Sequence, residues 1–292
     1  GTWTVIEVSD PDSELSIGSC SIPASASLNV TNGGAFVSRS GYVLFGEGSG
    51  AEASVLVSGS GSTFSSTGSL ANGRLWVASE SDARITVEDG GVFDHQEVAN
   101  GWGAAIGVAA GKTGTVVVTG ADSVFRYTDV DNGAGQVSVG GGGVGILSIA
   151  DGGLVENGHA AIGAGSGSTG TATISGGGSV WTNTGYLKVG RSANNSTATL
   201  AFELDSNGAG TVYVDGTMTI YPPQSYLTVD LSNYQWEQGM EFVLVDCGTL
   251  GTTFSNVSVT GLNGGTITQD EGNNNQIILT VNPPQGTVVS VR

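Results

Sequence analysis

The chain has 292 residues, of which 50 are Gly and 6 are Pro, and hydrophobic residues make up 38% of it. Short stretches of Val, Ile and Leu recur without any run of helix-forming residues at helical spacing, so the composition favours strands and turns and argues against helices. A formal net charge of −18 repels phosphate backbones and anionic membrane surfaces, which argues against a nucleic-acid partner. The longest apolar runs, such as "FVLVDC" (242–247), are too short to span a membrane.

Residues 1–24 are predicted to form a cap or strand segment at the amino end of a repeat array. "LSIG" (15–18) resembles the last part of a repeat unit whose earlier parts are missing. Because the terminal unit of a solenoid has a neighbour on one side only, such arrays need capping segments. The first complete unit is expected to begin at about residue 25.

Residues 25–200 contain an internal repeat with a period of 25 to 31 residues. Each unit has a small apolar triplet, a Gly-rich turn, a large apolar residue and a closing apolar segment. The triplets are LNV (28–30), VLV (55–57), ITV (85–87), VVV (116–118), LSI (147–149) and ATI (172–174). The closing segments are VLFG (43–46), LWVA (75–78), AAIG (104–107), VSVG (137–140), AAIG (160–163) and LKVG (187–190). Three short strands per unit predict the coils of a right-handed parallel β-helix.

Stacking of the coils predicts two interior rows. Coils about 4.8 Å apart would align the last residue of every triplet, while glycines supply the positive φ angles at the corners. The first row comprises Val30, Val57, Val87, Val118, Ile149 and Ile174. The second row comprises Phe36, Phe64, Phe93, Phe125, Val155 and Trp181.

Residues 201–292 are predicted to form a β-rich carboxyl-terminal region. The pattern changes after Leu200 to longer alternating segments, and Pro222 and Pro223 mark a break between two of them. We expect this region to continue the β-structure and to close the carboxyl end of the solenoid.

The repeats resemble a known group of proteins. The form "TATISGGGSVWTNTGYLKVG" (171–190), followed by "LAFELDSNGAGTVYVDGTMTI" (200–220) and "GMEFVLVDCGTLGTTFSNVSV" (239–259), is similar to secreted, autotransporter-passenger-like β-helix repeat proteins of Planctomycetes and Verrucomicrobia-type bacteria. The resemblance covers about residues 25–282. It implies export and an extracellular structural or adhesive role, and it transfers no catalytic residue. Many relatives end in a sorting signal with a membrane segment, whereas this sequence ends in "NPPQGTVVSVR".

One exterior flank carries the candidate binding residues. Three units are longer between the second and third segments, and insertions of this kind tend to lie on one face of a solenoid. On the flank beside them, neighbouring coils are expected to bring together charged and aromatic groups that suit a glycan. The candidates are His95, Trp102, Arg126, Tyr127 and Asp129, with Asp94, Glu97, Glu156 and His159 nearby. The other interpretation is a solvated flank of mixed charge.

No metal, cofactor or catalytic site is predicted. "DVDNGAG" (129–135) lacks the Glu that a calcium loop has at its twelfth position, where Gly140 stands. The turn acids Asp89 and Asp151 occupy alternate coils, about 9.6 Å apart, which is too far to share one Ca²⁺. Glycine strings such as "GGGGVG" (140–145) are not followed by Lys and Ser or Thr, so they read as corners and not as phosphate loops.

Two cysteines, Cys20 and Cys247, lie near opposite ends of the chain. Stacked coils would separate them by more than roughly 30 Å, which prevents a disulfide within one chain unless the carboxyl-terminal part folds back. They are therefore candidates for a disulfide between Cys20 of one subunit and Cys247 of the next, unless both are free thiols.

Two functions from different classes follow from the sequence. The first is a non-enzymatic structural or adhesive surface protein, a subunit of a head-to-tail filament whose partners are further copies of itself and extracellular polysaccharide. The alternative is a carbohydrate-active enzyme, such as a polysaccharide lyase or hydrolase, or a glycan-binding module on the flank described above.

Overall fold

The structure is a computed structural model and describes residues 4–40, 42–67, 74–97, 103–129, 135–191, 195–235, 240–261, 265–270 and 274–281. Strands and turns account for the secondary structure of these ranges. They contain no helix that is long and apolar enough to cross a membrane.

The strands follow one another in short units separated by turns. The first nine are β1 (Val5–Ser9), β2 (Glu14–Ile17), β3 (Cys20–Pro23), β4 (Ser27–Thr31), β5 (Ala35–Ser38), β6 (Tyr42–Glu47), β7 (Ala53–Ser58), β8 (Thr63–Thr67) and β9 (Arg74–Val77). The next twelve are β10 (Ala83–Glu88), β11 (Val92–Glu97), β12 (Ala104–Ile106), β13 (Thr113–Thr119), β14 (Val124–Asp129), β15 (Gln136–Val139), β16 (Val144–Ala150), β17 (Leu154–Asn157), β18 (His159–Ile162), β19 (Thr169–Ser175), β20 (Val180–Asn183) and β21 (Leu187–Val189). The last seven are β22 (Thr197–Glu203), β23 (Thr211–Ile220), β24 (Ser225–Asp230), β25 (Glu241–Leu250), β26 (Asn256–Thr260), β27 (Gly265–Asp270) and β28 (Gln276–Val281).

From β1 to β21, strands three positions apart in the chain pair in parallel with each other. This pairing confirms the predicted parallel β-solenoid with three strands per coil. The first ladder is β1-β4-β7-β10-β13-β16-β19-β22-β24-β26. The second ladder runs β2-β5-β8-β11-β14-β17-β20, and the third runs β3-β6-β9-β12-β15-β18-β21. At the carboxyl end the long strand β23 pairs with both β20 and β21, so the second and third ladders merge.

The core lies inside the coils and follows the alternation of the strands. In β13, β16 and β19 half-buried and fully buried side chains alternate along the strand, because successive side chains point to opposite faces of a strand. Both predicted interior rows are confirmed. Val87 is in register with Val57 and Val118, and Phe93 is in register with its neighbours in the coils above and below. All twelve residues of the two rows are buried.

The amino-terminal prediction needs one correction. Leu15 is in register with Phe36, so "LSIG" lies in the second ladder and not in a closing segment. The third strand follows at Cys20, and β1 precedes both. Residues 5–23 therefore form one full coil that pairs with the next coil along all three ladders.

The carboxyl-terminal region continues the parallel stack and then changes direction. Strands β24 and β26 extend the first ladder, and β25 stacks on β23. Strand β28 then pairs antiparallel with β25 on one side and with β27 on the other. Because β28 pairs with residues 241–246 of β25, the antiparallel hairpin covers the part of β25 that continues the second ladder.

Candidate functional site

Strands β11, β14 and β17 of the predicted flank pair in the expected register. Asp94 is opposite Arg126, and Arg126 is opposite Glu156 in the following coil. The Arg126 guanidinium forms an ion pair with the Glu156 carboxylate, with Nη2 and Oε2 2.7 Å apart. Both side chains are more than one-third exposed, so this pair adds little to stability.

Two of the flank candidates point into the core. The side chains of His95 and Tyr127 are fully buried and stack on each other with ring centroids 5.3 Å apart. They follow the inward-facing Phe93 and Phe125 by two residues, so alternation places them on the same inner face. Burial lowers the pKa of His95 to about 3. Neither side chain is accessible to a glycan, so the prediction that His95 and Tyr127 bind one is wrong.

The other members of the flank set do not assemble into a site. Asp129 ends β14 opposite Glu97, and Trp102 lies outside the described residues, as do the side chains of Asp129 and Glu97. His159 belongs to the third ladder, where it is in register with Gln136. Within the described part of the flank, the ion pair of Arg126 and Glu156 is the clearest polar contact.

The outer face of the third ladder is more distinctive. Because the strand residues alternate, the central residue of each closing segment points outward. From β9 to β21 these residues form an aligned row with large side chains at its two ends and small ones between: Trp76, Ala105, Ser138, Ala161 and Lys188. The small residues leave a depression between two aromatic clusters.

The first cluster holds an arginine between two aromatic rings. The guanidinium carbon of Arg74 lies 4.6 Å from the ring centroid of Tyr42 and 4.3 Å from that of Trp76. Tyr42 and Arg74 are directly in register in β6 and β9. The cation is attracted to the negative ring faces, which fixes both aromatic side chains on the exterior.

The second cluster lies three to four coils further along the same face. The rings of His159 and Tyr186 stack with centroids 3.9 Å apart, and Lys188 Nζ lies 4.2 Å from the Tyr186 ring centroid. The Tyr186 hydroxyl donates a 2.7 Å hydrogen bond to Gln136 Oε1. Partial burial lowers the pKa of His159, and the nearby Lys188 charge acts in the same direction. The imidazole Nδ1 accepts a hydrogen bond from the Tyr186 backbone N–H at 3.0 Å, as a neutral ring can.

Two adjoining cavities join these clusters into a groove, here called the third-face groove. One cavity has a volume of about 320 Å³ and reaches from Gln136 to Lys188, Arg191 and Tyr221. The other has a volume of about 430 Å³ and reaches from Trp76 across the small residues to the same Gln136 and Arg191. Their shared lining makes the groove continuous along the solenoid axis.

The electrostatics of the third-face groove differ from those of the whole chain. The chain has 26 Asp+Glu and 8 Lys+Arg. Among the described residues that line the two cavities there is no Asp or Glu, but there are two cations, Lys188 and Arg191. Arg74 adds a third beside Trp76. The groove is thus a positive, aromatic stripe on an acidic molecule.

The cysteines lie far apart, as predicted. Cys20 is in β3 of the third ladder and Cys247 is in β25, where it continues the second ladder. The two strands are eight spacings apart along the axis, which is about 38 Å. Both thiols are free and buried. Burial raises the pKa of Cys20 to about 12 and that of Cys247 to about 11. Because disulfide exchange needs an accessible thiolate, this placement counts against the predicted disulfide between subunits.

The turn acids have a structural role. Asp89 and Asp151 adopt positive φ angles of 54° and 52°, a conformation that Asp tolerates at turns. The Thr119 hydroxyl donates a 2.9 Å hydrogen bond to the Asp151 carboxylate in the next coil. In the described ranges, no three His, Cys, Asp or Glu side chains come together in a way that could hold a metal ion.

Sequence reasoning missed the third-face groove, although a signal was present. The closing segments "RLWVA" (74–78) and "YLKVG" (186–190) place an aromatic or basic residue at the outward position, where the three units between them have Ala or Ser. In the sequence analysis these segments served only to mark the repeat. An outward Trp or Tyr beside a cation is the feature that indicates a binding surface.

Comparison with known proteins identifies no family for this chain. No family model matches the sequence, and no curated protein matches it. Among solved structures, the chain is similar to a crystal structure of a hyper-glycosylated fragment of TibA, whose glycosylation TibC catalysed. The identity is 18%, over 88% of this chain and 95% of that chain, with a TM-score of 0.26.

Proposed function

We propose that the chain is an extracellular, non-enzymatic adhesive protein: a stiff β-solenoid that presents the third-face groove to a polysaccharide. The observation that carries the proposal is the groove itself, whose two cavities are lined by the aromatic residues Trp76 and Tyr221 beside a floor of small residues. Aromatic faces combined with a few polar groups are typical of ligand-binding clefts. The resemblance of the repeats to exported proteins supports an extracellular location.

The chemistry of the groove favours binding over catalysis. Glycoside hydrolysis needs a pair of carboxyl groups on the two sides of the scissile bond. Neither cavity has an acidic residue among its described lining residues. On the other face, where the enzyme alternative placed its site, His95 and Tyr127 are buried in the core. Both observations weigh against the enzyme alternative.

The solenoid suits a protein that holds its ligand under load. The first ladder continues through ten strands from β1 to β26, and the apolar rows beneath it are in register from coil to coil. Neighbouring coils pair along their strand ladders, so force along the axis is shared by many parallel hydrogen bonds. The net charge of −18 limits non-specific association.

The test is adhesion of the purified chain to a panel of immobilised polysaccharides. We expect retention on at least one of them, and loss of that retention in the variant Trp76→Ala. The matched control is Tyr226→Ala, which removes an aromatic side chain that is 38% exposed on the first ladder. Retention by no polysaccharide, or equal loss in both variants, would contradict the proposal. Circular dichroism checks that each variant is folded.

A head-to-tail filament is a second proposal, supported by the ends of the first ladder. Within the described residues β1 pairs with β4 alone and β26 with β24 alone, so each presents an edge. Val5 on β1 is 56% exposed and Val257 on β26 is 39% exposed. Exposed edge strands accept further strands, and a heterologous contact of this kind propagates into a filament.

Sedimentation velocity and electron microscopy test the filament. We expect concentration-dependent rods that disappear in Val5→Lys and persist in Glu7→Lys, which adds a lysine to the same strand. A reducing agent should leave the rods intact, because both thiols are buried. Monomers at all concentrations would overturn this second proposal and leave the adhesive proposal standing.

A further inference from the structure

We propose that the third-face groove selects a linear polysaccharide that carries carboxylate groups, such as a polyuronate. This inference rests on the proposed adhesive function and names its ligand class. Lys188 and Arg191 line the groove, and Arg74 lies beside it on the Trp76 ring, although the whole chain has only 8 Lys+Arg. Charge complementarity therefore indicates an anionic ligand.

The cations are held in place before any ligand arrives. Arg74 is packed against Tyr42 and Trp76, and Lys188 lies over the Tyr186 ring. The Arg191 Nη1 group donates a 2.8 Å hydrogen bond to the Ala164 backbone oxygen, which leaves its remaining N–H groups for a carboxylate. Because these side chains are already restrained, binding loses less conformational entropy than it would with free surface lysines.

The spacing of the cations fits a chain ligand better than a single small anion. Arg74 and Lys188 lie in β9 and around β21, four coils apart along the third ladder, which is about 19 Å. The cavities between them are lined by Ala105, Ser138 and Ala164, whose short side chains leave room for a ligand to lie along the axis. A polyuronate supplies both the length and a carboxylate on each sugar, and its apolar sugar faces match the aromatic rings.

The overall negative charge does not prevent this interaction. At about 150 mM salt the Debye length is about 8 Å, so charges on distant faces are largely screened. Contacts between a cation and a carboxylate inside a groove act over hydrogen-bond distances and keep most of their strength. Local complementarity therefore decides binding, while the net charge of −18 slows the approach of anionic chains to the other faces.

Biolayer interferometry with immobilised polygalacturonate at about 150 mM salt tests the inference. Fully methyl-esterified polygalacturonate, which has the same backbone without the charge, is the comparison ligand. The groove variants are Lys188→Gln and Arg191→Gln, and the matched control is Arg84→Gln, an exposed cation on the first ladder. We expect tight binding to the acidic polymer, a loss of about tenfold or more in each groove variant, and a change below twofold in the control.

The other outcomes separate the ligand class from the function. Equal binding of both polymers, with no effect of the groove variants, would overturn the carboxylate inference and leave the adhesive proposal intact. Binding to neither polymer, with retention on a neutral polysaccharide of the adhesion panel, would overturn the inference in the same way. Equal losses in Arg84→Gln would assign the effect to general charge and overturn it. Loss of binding in EDTA would also overturn it, because metal ions that bridge the protein and the polymer would then explain the signal. Equally tight binding of poly-glutamate would overturn it as well, because any acidic polymer would then suffice.

Discussion

At the scale of single residues, His95 is the least expected group in the core. Its ring is fully buried against Tyr127, and neither ring nitrogen has a hydrogen-bond partner among the described residues. Burial lowers the pKa to about 3 in the folded chain from 6.5. Below pH 6.5 the unfolded chain takes up a proton that the folded chain does not, so folding stability falls as the pH falls.

We expect the variant His95→Phe to remove this pH dependence. The wild-type chain should lose up to about 1.4 kcal/mol of unfolding free energy per pH unit below about 6.5 from this residue. Between pH 7 and pH 4.5 the stability of His95→Phe relative to wild type should therefore rise by about 2 to 3 kcal/mol. Urea denaturation at both pH values measures this difference.

The control variant for this experiment is Phe93→Leu on the same strand. It also changes a buried ring but removes no titratable group, so its cost should be the same at both pH values. A constant difference between His95→Phe and wild type across the pH range would show that His95 is not buried as a neutral ring.

Asn157 organises a buried polar network in the same row of the second ladder, two coils beyond His95 and directly in register with Tyr127. Its Oδ1 accepts a 2.7 Å hydrogen bond from the Trp181 indole N–H. Its Nδ2 donates to Asn183 Oδ1 at 2.7 Å and to the His159 backbone oxygen at 2.9 Å. The variant Asn157→Ala leaves these partners buried and unpaired, so we expect a loss of about 2 to 4 kcal/mol. The midpoint of urea denaturation reports it.

A double-mutant cycle separates the network from simple loss of volume. In the Trp181→Phe background the indole donor is gone, so Asn157→Ala should cost at least about 1 kcal/mol less than in the wild-type chain. Equal costs in both backgrounds would show that the hydrogen bond between these two side chains contributes nothing to stability.

At the scale of elements, one row of glycines is required by close backbone approach and not by dihedral angle. Gly145 in β16 is in register with Gly114 and Gly170, and a β-carbon at Gly145 would overlap the backbone of the corner residue Gly140. That corner N–H donates a 2.9 Å hydrogen bond to the Ile106 oxygen of the preceding coil. A side chain at Gly145 would disturb this link between coils.

We expect Gly145→Ala to destabilise the chain by about 1 to 3 kcal/mol. Gly18→Ala is the matched control, because that glycine has open space where its β-carbon would be and should change stability by less than about 0.5 kcal/mol. Thermal denaturation of both variants makes the comparison. Similar melting temperatures for the two would mean that the corner can move aside without cost.

The strand pattern explains which features were predictable. The repeat period and the alternation of apolar residues were sufficient to predict the parallel ladders and the interior rows that contain Val87 and Phe93. Equivalent positions in successive coils have the same surroundings, so the same pattern recurs in each coil. The same alternation also places His95 inside, two residues after Phe93, but the chemistry of the side chain was given more weight than its position. Single closing segments carry a signal for the third-face groove, but the groove as a whole was not predictable. Its register passes through connections of different length, and Trp76 and Lys188 are 112 positions apart in sequence.

At the scale of the whole molecule, stability is a sum of coils and of the interfaces between them. A coil in the middle of the stack has two neighbours, whereas the first coil has one. In an array of this kind, each unit is stabilised chiefly by contact with the adjacent units. The same substitution should therefore have different consequences at the end and in the middle.

Val8 and Val118 occupy equivalent inward positions of the first ladder and allow this comparison. Val8 is in register with Val30 alone among the described residues, whereas Val118 lies between Val87 and Ile149. We expect Val118→Ala to cost about 2 kcal/mol of global stability and to increase amide exchange across the central coils. Val8→Ala should cost less, and its increased exchange should stay within the first coil, because local opening there breaks one interface and not two. Hydrogen exchange with mass spectrometry measures both patterns, and exchange that increases equally along the whole chain in Val8→Ala would mean that the solenoid unfolds as one indivisible unit.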